Sequence, residues 1–247
     1  MNEGRDMPSI PERPKVLALD PAKIVGTVEA LSQRIEERFP QSGLSRVCRQ
    51  LLDIAHQAKA RAGWIAQPIV GLRIGAWVLA ALIVAGLAGT FMQLPLRRQD
   101  FEFTQTIQLL ESGINDVVFV GLAIFFLVTL ETRIKRHRAL KALHELRVIA
   151  HIIDMHQLTK DPERLFSPGP ETPSSPRRRT MSPFEMTRYL DYCSEMLSLT
   201  GKVAALYIQE FDDPVALASV NEIENLTTGL SRKIWQKLMI LNTSLKP

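Results

Sequence analysis

The chain has 247 residues, 46% of them apolar, and a formal net charge of +4. That charge is too small to point to a nucleic-acid partner. Two cysteines far apart in sequence, Cys48 and Cys193, argue against a disulfide framework and fit a reducing compartment. The apolar residues concentrate around 69–96 and 113–130, and elsewhere charged residues recur every few positions.

Residues 1–19 are charged and proline-bearing and read as a disordered tail; no apolar core of a secretory signal precedes residue 69. The segment 20–67 predicts amphipathic helices. Asp20-Pro21 reads as an N-cap with proline at the first helical position, and Ile24, Val28, Leu31, Ile35 and Phe39 follow at helical spacing. Pro40 and Gly43 end this helix. A second begins near Leu44, with Val47, Leu51, Ile54, Ala55, Ala58 and Ile65 on one face, and Pro68 marks its junction with the first apolar run.

Residues 68–96 predict a first transmembrane helix. From 74 to 96 there are 23 consecutive uncharged residues. At ~1.5 Å per residue they span about 34 Å, enough to cross a ~30 Å hydrocarbon layer. Small residues recur along it at Gly71, Gly75, Ala81, Ala85 and Gly89, a spacing that favours close helix packing. A short outer loop, 97–112, carries Arg97 and Arg98, diluted by Asp100, Glu102 and Glu111. Residues 113–130 predict the second span, whose uncharged run begins only at Val117; Asp116 is tolerated near the interface.

Lysines and arginines set the orientation. Arg46, Arg49, Lys59 and Arg61 precede the first span; Arg133, Lys135, Arg136, Arg138, Lys141 and Arg147 come after the second. The positive-inside rule then places both termini in the cytoplasm, with Trp64 and Trp77 bracketing the inner end of the first span. Arg73 is expected to snorkel or to reach Glu131, and Asp116 to pair with Arg97 or Arg98; a pore-lining role for these charges is the sharper alternative.

The helix of the second span is expected to continue without a break to about Leu158, as a cytoplasmic extension over 131–160, with Ala139, Leu143, Leu146, Ala150 and Ile153 at heptad spacing. The Pro/Arg-rich segment 161–182 reads as a disordered linker. Its Arg177, Arg178 and Arg179 ahead of Thr180 suggest a solvated linker first, and a phosphorylation site or lipid-touching patch second. Ser182-Pro183-Phe184-Glu185 is a capping box, and 183–242 predicts an antiparallel hairpin of two nearly equal helices. The first should run to about Phe211, and Asp212-Asp213-Pro214 should start the second. The hairpin should pack on the 131–158 helix, on the N-terminal helices, or on another copy.

His137, His144 and His151 are seven apart, with Asp154 three beyond the last. His144, His151 and Asp154 are weak metal candidates, because a seven-residue step is about 10 Å along a helix and ligands would have to come from another element. His144-Glu145 lacks the second histidine of a zincin motif, and no phosphate-binding or nucleophile motif occurs. Sequons at Asn225 and Asn242 would go unused in the cytoplasm.

The expectation is an all-α protein: a two-helix transmembrane hairpin with cytoplasmic amphipathic helices forming a bundle or coiled-coil hairpin. Its expected partners are the lipid bilayer, a second copy and cytoplasmic protein; no nucleic acid, small-molecule substrate, cofactor or catalytic residue is expected. A scaffold or adaptor in a bacterial inner membrane is the leading function, and an oligomeric two-span channel or pore the alternative.

Overall fold

The computed structural model describes residues 18–93, 103–166, 181–209 and 211–244. Among them every regular element is helical. Six long helices, α1 (Pro21–Arg38), α2 (Gly43–Ala66), α3 (Val70–Gln93), α4 (Phe103–Leu158), α6 (Pro183–Ala205) and α7 (Pro214–Ser244), are joined by one short helix, α5 (Glu163–Phe166).

The helix starts follow from local chemistry. The Asp20 carboxylate accepts from the N–H groups of Ala22 at 2.8 Å and Lys23 at 3.3 Å, opening α1. Ser42 caps α2 by accepting from Ser45 N–H, and a left-handed Gln41 (φ 53°) makes the tight turn between these helices. At α6, Ser182 and Glu185 complete a reciprocal capping box. Each cap satisfies amide donors that have no partner inside the helix.

A five-helix bundle holds the core: α1 lies against α2 and α6, and α6 pairs with α7. The C-terminal half of α4 contacts α2, α6 and α7. The heptad positions Ala139, Leu143, Leu146, Ala150 and Ile153 of α4 are all buried. They meet Leu31, Ile35, Leu51, Leu190, Met196, Leu197, Val220 and Ile223 in one continuous cluster. A side chain of this size buried completely contributes about 1.5–3 kcal/mol, so this stripe accounts for why the bundle encloses α4. Phe39 closes the α1 end, edge-on to Tyr189 with ring centroids 5.5 Å apart.

α4 is one uninterrupted helix of 56 residues, about 84 Å long at ~1.5 Å per residue. Its two halves have opposite surroundings. Beyond Glu131 it is the buried spine of the bundle; over 117–126 one face is open, with Val117, Phe119, Leu122 and Phe125 each more than 60% exposed. α3 packs alongside α4 and is open in the same way at Ile74, Trp77 and Leu82. Among the described residues, one helix, α4 from Val117 onward, is long and apolar enough to cross a membrane; the described apolar part of α3, Arg73–Gly86, is shorter. The first span expected over 68–96 is thus represented by a shorter apolar stretch, and its outer end beyond Gln93 lies outside the described residues.

Several boundaries differ from expectation. α4 starts at Phe103, so ten residues assigned to the outer loop are helical; the stretch 103–112 holds no proline or glycine to stop the helix. α6 ends at Ala205 rather than near Phe211. The amides of Tyr207 and Ile208 bond three residues back, to Ala204 and Ala205, and tighten the last turn while Tyr207 is drawn into the core. α7 runs to Ser244, so the pair is unequal, 23 residues against 31. The linker contains the short helix α5, and residues 167–180, with Arg177, Arg178, Arg179 and Thr180, lie outside the described residues.

Candidate functional site

The change in α4 from open to enclosed happens at Glu131, and charge gathers there. α2 ends at Ala66, and Pro68, which has no N–H, separates it from α3. The first turn out of this joint places Ile69 and Arg73 on one side, four residues apart, facing α4. Glu131 accepts from Arg73 Nε at 2.6 Å and from the Ile69 N–H at 3.2 Å. Lys135, one turn along α4, reaches it at 3.0 Å. Glu131 and Lys135 are both buried. The Arg73 hydrogen bond outweighs the cost of burial, and with Lys135 and the Ile69 amide it holds the Glu131 carboxyl well below the usual carboxylate range.

Further ion pairs fasten the bundle. Arg136 donates from Nε at 2.8 Å to the buried carboxylate of Asp213, which also accepts from the N–H groups of Val215 (3.1 Å) and Ala216 (2.9 Å) to cap α7. Burial pushes the Asp213 carboxyl up, but Arg136 and these amides together hold it below its ordinary value. Arg61 on α2 pairs with Glu145 on α4 at 3.2 Å, and Arg147 with Glu222 on α7. Two arginines face rings instead: Arg138 stands 4.2 Å above the Trp64 ring and Arg133 5.5 Å above Phe126.

Arg73 and Glu131 are thus in contact. The Asp116 side chain, Arg97 and Arg98 lie outside the described residues. The small-residue stripe meets no neighbour: a Cβ added at Gly71, Gly75 or Gly89 would find nothing within 4 Å, and Ala81 and Ala85 are exposed. α3 therefore contacts α4 without using that stripe. His137, His144 and His151 are exposed on the surface of α4. Asp154 instead accepts from Gln157 Nε2 at 2.6 Å. Among the described residues no three His, Cys, Asp or Glu side chains group to hold a metal. Burial pushes the Cys48 thiol up to about 11 and that of Cys193 to about 12, which leaves both as protonated core residues.

Sequence reasoning missed the buried Lys135, the Arg136–Asp213 pair and His156, whose ring lies against Gly43 at the start of α2. Only Asp213 carried a local signal, its position one residue before Pro214. An open groove of about 440 Å³ between α1 and α6, lined by Lys23, Thr27, Glu195 and Lys202, carries no buried polar group aimed into it.

No family model, curated protein or solved structure matches the chain.

Proposed function

We propose that this chain is an integral membrane scaffold or adaptor, whose helical bundle assembles with a second copy or with cytoplasmic protein partners. In this reading α3 and the first part of α4 form a transmembrane hairpin in a bacterial inner membrane, with both termini in the cytoplasm. One observation carries it: α4 is a single helix, open and apolar over Val117–Phe126 and the enclosed spine of the bundle beyond Glu131. An apolar surface this extensive does not face water in a stable monomer. Continuity of the helix makes the bundle a rigid projection from the bilayer rather than a tethered domain, which suits a platform that holds partners at a set distance and angle.

A second reading, an oligomeric pore, draws on the uncovered stripe of Gly71, Gly75 and Ala81, against which another copy of α3 would fit. Among the described residues of 74–89 and 117–126, however, the exposed side chains are apolar and supply no polar lining.

The test is the full-length protein expressed in membranes, extracted in mild detergent, with its size and co-purifying proteins measured. The scaffold reading expects resistance to alkaline carbonate and either an oligomer or a stoichiometric partner. Release by carbonate, or a monomer retaining no partner, would overturn it. Ion release from liposomes that Arg73→Ala alters would put the pore in its place.

A further inference from the structure

We infer that the junction between the apolar helices and the bundle is a binding surface for anionic phospholipid headgroups, built from two arginine–aromatic pairs, Arg138 with Trp64 and Arg133 with Phe126. The inference rests on the membrane reading above and adds the lipid chemistry that the junction selects.

Depth comes first. The uncharged run of α4 ends at Leu130, and Arg133 and Arg138 lie three and eight residues later. At ~1.5 Å per residue their backbones lie about 4.5 and 12 Å beyond the apolar edge. A bilayer of ~40–45 Å with a ~30 Å hydrocarbon core leaves roughly 5–8 Å of headgroup layer on each side. Helical side chains lean toward the N-terminus, which in this half of α4 is toward the bilayer, so Arg138 reaches back into that layer. Trp64, in the last turn of α2 just before the Pro68 joint, is 36% exposed, as suits an indole at an interface.

Charge comes second. The buried carboxylates at this level already have cations: Glu131 holds Arg73 and Lys135, and Asp213 holds Arg136. Arg133 and Arg138 are exposed and have rings in place of carboxylates. A guanidinium paired with a ring instead of a carboxylate has its charge unneutralised, and its paired N–H groups match two oxygens of a phosphate. Five residues apart, the two arginines lie about 140° apart around α4 at ~100° per residue, so the junction presents one headgroup site on each flank.

The test uses the full chain in bilayer nanodiscs of equal phosphatidylglycerol and phosphatidylcholine, with the lipids retained after transfer to mild detergent quantified by mass spectrometry. Phosphatidylglycerol should be retained in several-fold excess. Arg133→Gln and Arg138→Gln should each weaken its own flank by about fivefold, the factor equivalent to ~1 kcal/mol per juxtamembrane cation, and so remove about half of that excess. Trp64→Ala should weaken the Arg138 flank alone, and Lys141→Gln, an exposed cation about 16 Å past Leu130 at ~1.5 Å per residue, should leave the ratio unchanged. Circular dichroism establishes that each variant remains folded. Equal retention of the two lipids, or an equal loss with Lys141→Gln, overturns the headgroup site while the membrane reading stands. Failure of the wild-type chain to enter nanodiscs at all overturns both.

Discussion

Arg136 and Asp213 meet at 2.8 Å across 77 residues of sequence, and through this contact the first turn of α7 is tied to α4 close to where α4 enters the bundle. The Asp213 side chain is 1% exposed and performs two tasks at once, pairing with the guanidinium and capping α7.

Asp213→Ala therefore removes a cap, worth about 1 kcal/mol, and a charge-assisted hydrogen bond, worth about 1.5–3 kcal/mol. Thermal unfolding of the detergent-solubilised protein should show a loss of about 2.5–4 kcal/mol, with Asp213→Asn intermediate because its amide oxygen can still cap. The Asp213 pKa is depressed in the folded state, so its contribution is complete above the ordinary value of 3.8 and fades as pH falls below it. Asp213→Asn should flatten that acid limb.

Glu131→Gln leaves the Lys135 ammonium buried without its carboxylate. Breaking a buried pair from one side costs about 3–5 kcal/mol, reduced here because Arg73 is 60% exposed. The expected loss in denaturant unfolding is about 2–3 kcal/mol, and Glu131→Gln with Lys135→Met should recover most of it, since no charge is then stranded.

Gly43 lies so close to His156 that an added Cβ would overlap the ring's Cε1. Gly43→Ala should destabilise by about 1–3 kcal/mol through overpacking, despite alanine's better helix propensity. His156→Ala in the same chain should relieve the clash, which a double-mutant cycle would report as coupling.

Burial, then Lys160 and Arg46, lowers the His156 pKa. The unfolded chain therefore binds the proton more readily below its ordinary value of 6.5, and stability should rise as pH is raised from the folded pKa to that value and level off above it. His156→Ala should remove this slope from the stability measured between pH 5 and 7.

Lys237 donates to the carbonyl oxygens of Gln157 at 2.7 Å and Lys160 at 2.8 Å, closing the C-terminus of α4 from α7. Lys237→Met should cost about 1–2 kcal/mol, from lost hydrogen bonds and lost charge at the helix end. Faster amide exchange confined to the last turns of α4 would identify the cause; unchanged exchange there would contradict it.

Much of the fold was legible because the signals are local. The Asp20 and Ser182 caps, the 3.6-residue periodicities of α1, α2, α6 and α7, and the unbroken run from Gly113 to Leu158 each depend on residues within a turn or two of one another. Contact between Arg73 and Glu131 was also a natural expectation, because both lie at the same end of the two apolar runs. The end of α6 was not legible, since no Gly or Pro marks Ala205 and it is the burial of Tyr207 that closes the helix.

The amino-acid sequence by itself determined that this is a helical protein, where most of its helices start, and that one of them passes from an apolar half to an amphipathic half. Only the tertiary structure decided which charges meet: Arg136 with Asp213, Lys237 with the end of α4, and Lys135 buried beside Glu131. The physical reason is rotational. Each residue turns a helix face by about 100°, so a pairing across dozens of residues depends on how whole helices roll against one another, which packing of the core settles and no local pattern records. The same packing turned the histidine stripe of α4 outward and left the small-residue stripe of α3 uncovered.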